Sequence, residues 1–349
     1  MNATRNYGLI LPEKIETREE GAEHVLGGTD RPIINPSGSY MNNLTDAEPQ
    51  SKNGVETFAC TVYNSLSAIE DIIYFLTGIK VNYADKVVAN LAARSGILNP
   101  KLGADPHKIL ELIRTISGLT DESRYPWTAD ITTNEQYYGM GDELFKAIKE
   151  GQPWYKEWKL EHEWLWTGNP TPQEKRRLIQ EALKRGIVCV AVDAWNKRGD
   201  VYVKLRSENH WTGVRKADGM EPYRIRDSYD TFDKDLDPLY DFAIAKVIYL
   251  TPVPHLFLKN LGFQMMDEEV RHLQKALVSL NYLIPHAVTN VYGTETRSAV
   301  MAFQRDSGIS DDGSHFGPRT RLALNQKLNP TAFLGGSFAT WFAALFSGV

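Results

Sequence analysis

A long apolar stripe begins shortly after Glu56 and has the spacing of a helix. Its apolar side chains recur at steps of four and three, at Val62, Leu66, Ile69, Ile73 and Leu76. This spacing places them on one helix face, and Gly78 is suited to end the helix in a left-handed conformation. Thr57 can cap the start, which puts Cys60 in the first turn.

Further along, the pattern changes from helical to strand-like. Residues 84–95 and 106–116 continue the helical pattern, and an amphipathic stretch at 174–186 stops at a glycine. Strand-like runs then follow at residues 187–195, 210–216, 223–229 and 245–253. Helices first and strands afterwards predict an α+β domain with a helical lobe and a lobe of antiparallel strands.

A separate small unit is predicted near the C-terminus. Val270, Leu273, Leu277 and Leu280 define one helix face, Thr294 can cap a second helix, and Pro318 suits the start of a third. We therefore expect a small three-helix domain. The predicted boundaries are a lead-in at 1–45, an α+β domain at 46–255, the three-helix domain at 262–330 and an apolar tail at 331–349.

Composition narrows the classes of function. The chain has 349 residues and a formal net charge of -5, which gives no reason to expect a nucleic-acid partner. The first residues lack the apolar core of a secretion signal, so synthesis in the cytoplasm is expected. Residues 332–349 carry no charged side chain; their length is marginal for a bilayer, which requires about 20 residues. Packing on the protein and membrane association both stay open for this tail.

Cys60 is the first candidate for chemistry. A thiol in the first turn of a helix lies at the positive end of the helix dipole, which favours the reactive thiolate. The simpler interpretation is a small buried apolar residue, the commonest fate of a free cysteine. Cys189, the other cysteine, lies in the apolar run IVCVAV and is expected to be a packed strand residue.

His210 and Asp227 supply the partners that a nucleophilic thiol needs. His210 begins a predicted strand, and Asp227 follows the next strand. A carboxylate on a neighbouring strand can orient an imidazole through its second ring nitrogen. His162, among charged residues in EHEW, is instead expected to face solvent. Cys60, His210 and Asp227 thus follow the order of nucleophile, base and orienting group.

These segments resemble the papain-like cysteine peptidases over about residues 45–253. The match consists of ACTVYN at the cysteine, NHWTGV at the histidine and RDSYD where that family has an Asn-Ser-Trp motif. ESRYPWTAD and IQEALKRGIVCVAVDAW agree with two flanking stretches. The resemblance implies a two-lobed fold and a catalytic set of Cys60, His210 and Asp227, with Asp227 replacing the family's asparagine.

The family's oxyanion glutamine is the main departure. Its Q-G-x-C-G-S-C-W run is absent, and Gln50 is the best candidate although it lies farther upstream than usual. The resemblance therefore implies Gln50 and the backbone N–H of Cys60 as oxyanion donors; a solvated loop glutamine is the alternative.

The C-terminal unit resembles the peptidoglycan-binding type 1 domains. Its sequence shares with that family Leu273-Gln274, Tyr292-Gly293, Thr296, Ala299-Val300, Phe303-Gln304, Asp312-Gly313 and Gly317-Pro318. Most of these positions describe helix faces and turns rather than a ligand site. The resemblance implies peptidoglycan or a wall-associated peptide as the partner.

Together these patterns predict a cysteine peptidase that acts on peptide or amide bonds at the bacterial cell wall, with a lysin-like or phage-associated role. A wall-binding protein with an inactive papain-like domain, and a transamidase with the same residues, are the alternatives. No cofactor or metal is expected: the acidic run at Asp230–Asp241 fails the calcium-loop pattern at Pro238 and Ile244. Whether residues 1–45 are inhibitory stays open.

Overall fold

The structure is a computed structural model that describes residues 7–12, 31–229, 231–253 and 255–328. These residues divide into two compact units, one within 1–75 and 80–251 and the other within 76–79 and 252–349. The apolar tail and most of the lead-in lie outside the described residues. No helix in the described ranges is long and apolar enough to cross a membrane. The predicted domain boundaries and the membrane association of the tail stay predictions.

The helices concentrate early in the chain and again at its end. In chain order they are α1 (Cys60–Thr77), α2 (Asp85–Arg94), α3 (Pro106–Leu112), α4 (Asn134–Tyr137), α5 (Glu143–Gly151), α6 (Trp154–Glu157), α7 (Pro172–Leu183), α8 (Glu268–Ser279), α9 (Thr294–Asp306) and α10 (Pro318–Leu328). A π-helical turn, Ile113–Ser117, extends α3. The predicted apolar face of α1 is buried at Val62, Leu66 and Ile69, and Gly78 follows its end at φ 68°.

The strands lie mainly between the two groups of helices. They are β1 (Ser51–Lys52), β2 (Val55–Glu56), β3 (Leu98–Asn99), β4 (Gly103–Ala104), β5 (Trp158–Trp164), β6 (Ile187–Val192), β7 (Lys197–Arg198), β8 (Val201–Tyr202), β9 (His210–Lys216), β10 (Tyr223–Arg226), β11 (Asp233–Leu236), β12 (Ala245–Pro252), β13 (Leu261–Gly262) and β14 (His315–Phe316). The predicted α+β class, with helices first and strands later, is confirmed.

One eight-stranded sheet forms the core of the strand lobe. Its order is β5-β12-β6-β9-β10-β11-β8-β7. The central pairs are antiparallel, and β8 is the exception because it pairs parallel with β11. Every residue of β6 is buried, as are the first six of β9. The sheet therefore holds the start of β9 and the end of β10 on rigid, fully buried backbone.

Two details of the prediction are wrong. The Thr57 hydroxyl accepts a hydrogen bond from Ala59 N at 3.3 Å, so it does not reach an N–H inside α1, which begins at Cys60. His162 is 3% exposed rather than solvent-facing. Along β5 its neighbour Glu161 is partly exposed but its neighbour Glu163 is buried, and its ring contacts that of His107 at 5.5 Å between centroids. Charged neighbours in the sequence therefore do not indicate exposure here, since Glu163 is itself only 1% exposed.

A cluster of carboxyl groups lies beside α1. Glu70 and Asp85 are each 5% exposed, and burial followed by the nearby Glu48 raises the pKa of both well above the usual range. Burial and Glu48 also raise the pKa of Glu122 to about 8. These groups are therefore protonated in the folded chain at pH values where they would ionise in water.

The C-terminal unit packs its helices around one apolar cluster. Leu273 and Leu277 of α8, Val300 and Phe303 of α9 and Leu324 of α10 contribute to it. All of these side chains are at most 1% exposed. The predicted three-helix unit is therefore confirmed as a small core built from one face of each helix.

Candidate active site

Cys60 is the first residue of α1. Val62 N and Tyr63 N both donate to Ala59 O, at 2.8 and 3.1 Å, so the helix turns begin directly around the thiol. The Cys60 side chain is fully buried. Its sulfur thus lies at the N-terminal end of a helix of 18 residues, where the dipole favours an anion.

His210 begins β9 and is held by both backbone and side chain. Its register partner is Val192 of β6, and Asn209 N donates to Val192 O at 2.9 Å. The ring nitrogen Nε2 lies 2.5 Å from Asp227 Oδ1, one residue beyond β10. Both side chains are completely excluded from solvent. The predicted pairing of His210 with Asp227 is therefore present, and it leaves Nδ1 for the thiol.

The thiol of Cys60 is the neighbour of this ring. Burial lowers the pKa of His210, but the charges of Asp227 and then Cys60, together with the hydrogen bond that Asp227 accepts from the ring, raise it to about 10. Within the described residues Nδ1 makes no hydrogen bond of ordinary geometry, although the Cys60 sulfur is near enough to contribute to the raised pKa of the ring. Catalytic hydrogen bonds in unliganded sites are commonly long and tighten when substrate binds.

Asp227 has a second partner that the sequence interpretation missed. Lys234 Nζ lies 2.7 Å from Asp227 Oδ2, and the lysine is 5% exposed. Burial raises the pKa of Asp227, but His210 and then Lys234 lower it below its usual range. The available signal was the alternation of DKDL along β11, which turns Lys234 and Leu236 inward and the aspartates outward.

Gln50 is buried in the same neighbourhood. Its Nε2 donates to Glu56 Oε1 at 2.9 Å, to Tyr229 OH at 2.9 Å and to Tyr7 O at 3.2 Å. Ser228 Oγ donates to its Oε1 at 2.7 Å. Because an amide NH₂ has two hydrogens, these acceptors occupy it fully. Gln50 is not the solvated loop residue of the alternative interpretation, and its oxyanion role stays a prediction that needs these contacts to rearrange.

The segment Tyr7–Pro12, here called the N-terminal strap, also reaches the site. Tyr7 N donates to Asn209 O at 3.1 Å, and its ring meets the His210 ring edge-on at 5.9 Å. Gly8 has a φ of 104°, and a Cβ there would lie 2.3 Å from Phe58 O. Ala104 N donates to Gly8 O at 3.0 Å. The strap therefore lies against both His210 and the residues just before Cys60.

Asn64 is another residue that sequence reasoning missed. Its Nδ2 donates to Trp211 O at 2.6 Å, to Ser228 Oγ at 3.0 Å and to Cys60 O at 3.1 Å. One buried amide thus ties the start of α1 to β9 and to the residue after Asp227. The signal was a polar residue one turn after Cys60, on a helix side that is otherwise buried.

One group of potential metal ligands lies in the same unit. His107 and Glu111 of α3 and His162 of β5 bring ligand atoms within 4.8 Å of one another. Arg114 donates to both oxygens of Glu111, at 2.8 and 2.5 Å, and Lys246 Nζ lies 3.5 Å from His107 Nδ1. Two cationic side chains at the ligands disfavour a metal ion there.

In the C-terminal unit the shared motif residues hold loops together. Gln274 Nε2 donates to Thr296 Oγ1 at 2.8 Å, and Gln304 Nε2 donates to Thr320 Oγ1 at 3.0 Å. Both glutamines are completely buried. Tyr292 OH donates to Gly313 O at 2.8 Å. These positions are therefore structural, in agreement with the interpretation of the motif as helix faces and turns.

Comparison with protein families identifies the C-terminal unit. Residues 266–324 match the family described as "Putative peptidoglycan binding domain". The predicted resemblance of this unit is confirmed. A search of curated proteins gives no match to the chain.

Comparison with solved structures gives cysteine proteases and their precursors. The chain is similar to digestive procathepsin L2 from the larval midgut of Tenebrio molitor, with 14% identity over 70% of this chain and 78% of that one and a TM-score of 0.47. Procathepsin L 3 of the same source has 13% identity over 65% of this chain and 74% of that one, with a TM-score of 0.44. A cysteine protease of Carica candamarcensis has 14% identity over 60% of this chain and 96% of that one, with a TM-score of 0.42. At these identities and TM-scores, the similarity establishes neither activity nor substrate for this chain.

Proposed function

We propose that the chain is a cysteine peptidase that hydrolyses peptide or amide bonds of the bacterial cell wall or of wall-associated proteins. The observation that carries this proposal is the arrangement of Cys60, His210 and Asp227, with the thiol at a helix start, the imidazole beside it and a carboxylate on the far ring nitrogen. This is the arrangement that nucleophilic catalysis by a thiol requires.

In the first half-reaction the Cys60 thiolate attacks the carbonyl carbon of the substrate. The sulfur–carbon bond forms as the carbonyl oxygen takes negative charge, which the backbone N–H of Cys60 and a rearranged Gln50 stabilise. When the tetrahedral intermediate collapses, the carbon–nitrogen bond breaks and His210 gives its Nδ1 proton to the leaving amine. General acid–base help and oxyanion donors are each typically worth factors of about 100 or more.

In the second half-reaction a water molecule attacks the thioester. His210, now neutral, takes one proton from the water, and the carbon–sulfur bond breaks to release a carboxylic acid and the Cys60 thiolate beside a protonated imidazole. The acid then gives its remaining proton to solvent and leaves as a carboxylate. Asp227 keeps the ring orientation and the tautomer in both steps, since Nε2 stays bonded to Oδ1.

The match of residues 266–324 to a peptidoglycan-binding family supports wall targeting. A binding unit on the same chain raises the local concentration of wall substrate without a new contact in the site. A lysin-like or phage-associated role, in which the chain is made in the cytoplasm and acts at the wall, fits this combination.

Purified sacculi test the proposal directly. The full chain should release new amino groups from sacculi, and Cys60→Ala should release none, whereas Cys189→Ala should keep the wild-type rate because that cysteine lies in the sheet interior. Removal of residues 262–330 should lower sacculus binding while iodoacetamide still alkylates Cys60. Equal amine release by Cys60→Ala would exclude the peptidase mechanism.

A non-catalytic wall-binding protein is the second candidate. The observation that favours it is the full occupation of the Gln50 amide by Glu56, Tyr229 and Tyr7, which leaves that side chain no N–H for an oxyanion. Its signature would be sacculus binding without amine release, together with slow alkylation of Cys60 that does not change in His210→Ala.

A further inference from the structure

Lys234 lies in the proposed catalytic arrangement, but neither the motifs nor the proposed mechanism uses it. Its ammonium lies 2.7 Å from Asp227 Oδ2, on the carboxylate oxygen that does not contact His210. It also donates to Thr231 O at 2.8 Å and to Tyr229 O at 3.2 Å. The Trp195 ring lies 4.8 Å away, and it also meets the His210 ring at 5.5 Å.

A carboxylate beside an imidazole differs from an amide in one respect that matters for catalysis. Both accept a hydrogen bond from the ring, but a buried carboxylate adds a full negative charge that holds the ring protonated. His210 must both give and take a proton in the two half-reactions. An uncompensated Asp227 would therefore favour the protonated imidazole and hinder the transfer of its proton to the leaving amine.

We propose that Lys234 is a positioning residue that offsets part of the negative charge of Asp227, so that the Asp227–Lys234 pair holds His210 protonated less strongly than Asp227 alone would. This inference rests on the proposed function. One oxygen of Asp227 accepts from His210, the other is bonded to the ammonium, and the pair carries no net charge. Because both side chains are at most 5% exposed, water contributes little to the compensation.

The other charged and titratable groups around the ring lie on several elements. Cys60 comes from the start of α1, Tyr7 from the N-terminal strap and Tyr229 from the residues after β10. Tyr229 OH donates to Glu56 Oε2 at 2.6 Å, so the Glu56 carboxylate lies behind the Tyr229 ring that contacts His210. None of these groups carries a permanent positive charge. In the described part of the chain, Lys234 is the lysine or arginine whose charge lies within hydrogen-bonding distance of Asp227.

The charge on His210 can be measured through Cys60 with two alkylating reagents. Iodoacetate is an anion and is attracted by a protonated imidazole, whereas iodoacetamide is neutral. The rate of alkylation of Cys60 by iodoacetate, divided by its rate with iodoacetamide, is followed by peptide mass spectrometry across pH. This rate ratio falls when His210 loses its proton. The full chain is used throughout, and thermal unfolding of each variant separates loss of fold from change of charge.

Two single variants should shift the pH at which the rate ratio falls in opposite directions, and in the double variant these shifts should cancel. Lys234→Met leaves Asp227 uncompensated, so the fall of the rate ratio should move to higher pH by about one unit or more. Asp227→Asn leaves a buried ammonium, so the fall should move to lower pH by a similar amount. The double variant Asp227→Asn/Lys234→Met should return close to wild type. Lys216→Met is the matched control, since that lysine lies in the same sheet and pairs with the exposed carboxylates Asp218 and Glu221.

The outcomes distinguish this inference from the proposed function. If wild-type Cys60 reacts slowly with both reagents and ignores His210→Ala, the peptidase proposal fails. If wild-type Cys60 is reactive but Lys234→Met leaves the pH of the fall unchanged, or shifts it in the same direction as Asp227→Asn, only the charge-compensation role of Lys234 is overturned. That role is also overturned if the shifts of the two single variants add in the double variant instead of cancelling.

Discussion

The two cysteines of this chain are equally buried and differ in what surrounds them. Cys189 lies in the middle of β6, between strands β12 and β9, and burial raises the pKa of its thiol to about 12. Cys60 is just as inaccessible, but it begins a helix and contributes to the raised pKa of His210. The proposed function therefore requires that burial alone does not make a thiol inert, and it assigns the difference in reactivity to the helix end and the imidazole beside Cys60.

The largest expected effect separates the two sulfurs outright. Cys60→Ala should lower amine release from sacculi by about a thousandfold or more, because no other group can form the acyl intermediate. Cys189→Ala should change the rate by less than about twofold and should cost only stability, on the order of 1 kcal/mol. A large rate loss in Cys189→Ala with an intact fold would contradict the assignment of Cys60 alone as the nucleophile.

His210→Ala tests whether the imidazole makes the difference. At about pH 6 iodoacetamide should alkylate Cys60 roughly a hundredfold more slowly in this variant, since a thiol without an ion-pair partner is largely protonated there. Cys189 serves as the internal standard and should stay nearly unreactive in both proteins. Unchanged alkylation of Cys60 would mean that the helix end alone activates the thiol.

Stability against pH gives a third comparison. Because the folded pKa of His210 is raised to about 10, its contribution is fully present below the unfolded value near 6.5 and is lost as pH rises through about 10. The lowered pKa of Asp227 acts at the other end, where stability is lost as pH falls below about 4. The difference in unfolding free energy between wild type and His210→Gln, measured in urea, should therefore shrink by a few kcal/mol between pH 6 and pH 10.

A difference that stays constant over this pH range, or grows, would contradict the raised pKa of His210. Cys189→Ala should show no change between pH 6 and pH 8, because the thiol is protonated there in both the folded and the unfolded chain.

The smallest expected effect concerns access to Cys60. Gly8→Ala places a methyl group 2.3 Å from Phe58 O in a left-handed conformation, so the strap should leave the site. Iodoacetamide should then reach Cys60 about three to ten times faster, as a weak contact of 1 kcal/mol or so is lost. Gly54→Ala is the matched control, with φ 79° and nothing within 4 Å of the added Cβ. Slower alkylation in Gly8→Ala would show that the strap supports the site instead of covering it.

Much of this comparison could be predicted from the sequence. The apolar spacing of α1 located Cys60, the start of one predicted strand located His210, and the end of the next located Asp227, because local patterns fix local elements. Lys234, Asn64 and Tyr7 could not be located in the same way, since their contacts depend on how distant segments meet. The prediction that His162 faces solvent was wrong because charged neighbours do not establish exposure: Glu163, next to it on β5, is buried as well. For Gln50, the sequence predicted a candidate, and its partners Glu56, Tyr229 and Tyr7 appear only in the folded chain.

The carboxyl cluster beside α1 has a calorimetric consequence. Near neutral pH, Glu122, whose pKa burial raises to about 8, keeps in the folded chain a proton that it gives up in the unfolded chain, and the raised pKa values of Glu70 and Asp85 act in the same direction. Unfolding therefore discharges hydrogen ions into the buffer. The measured heat of melting includes the heat with which the buffer absorbs them, so a scan in Tris and a scan in phosphate at one pH should yield different enthalpies for the same transition.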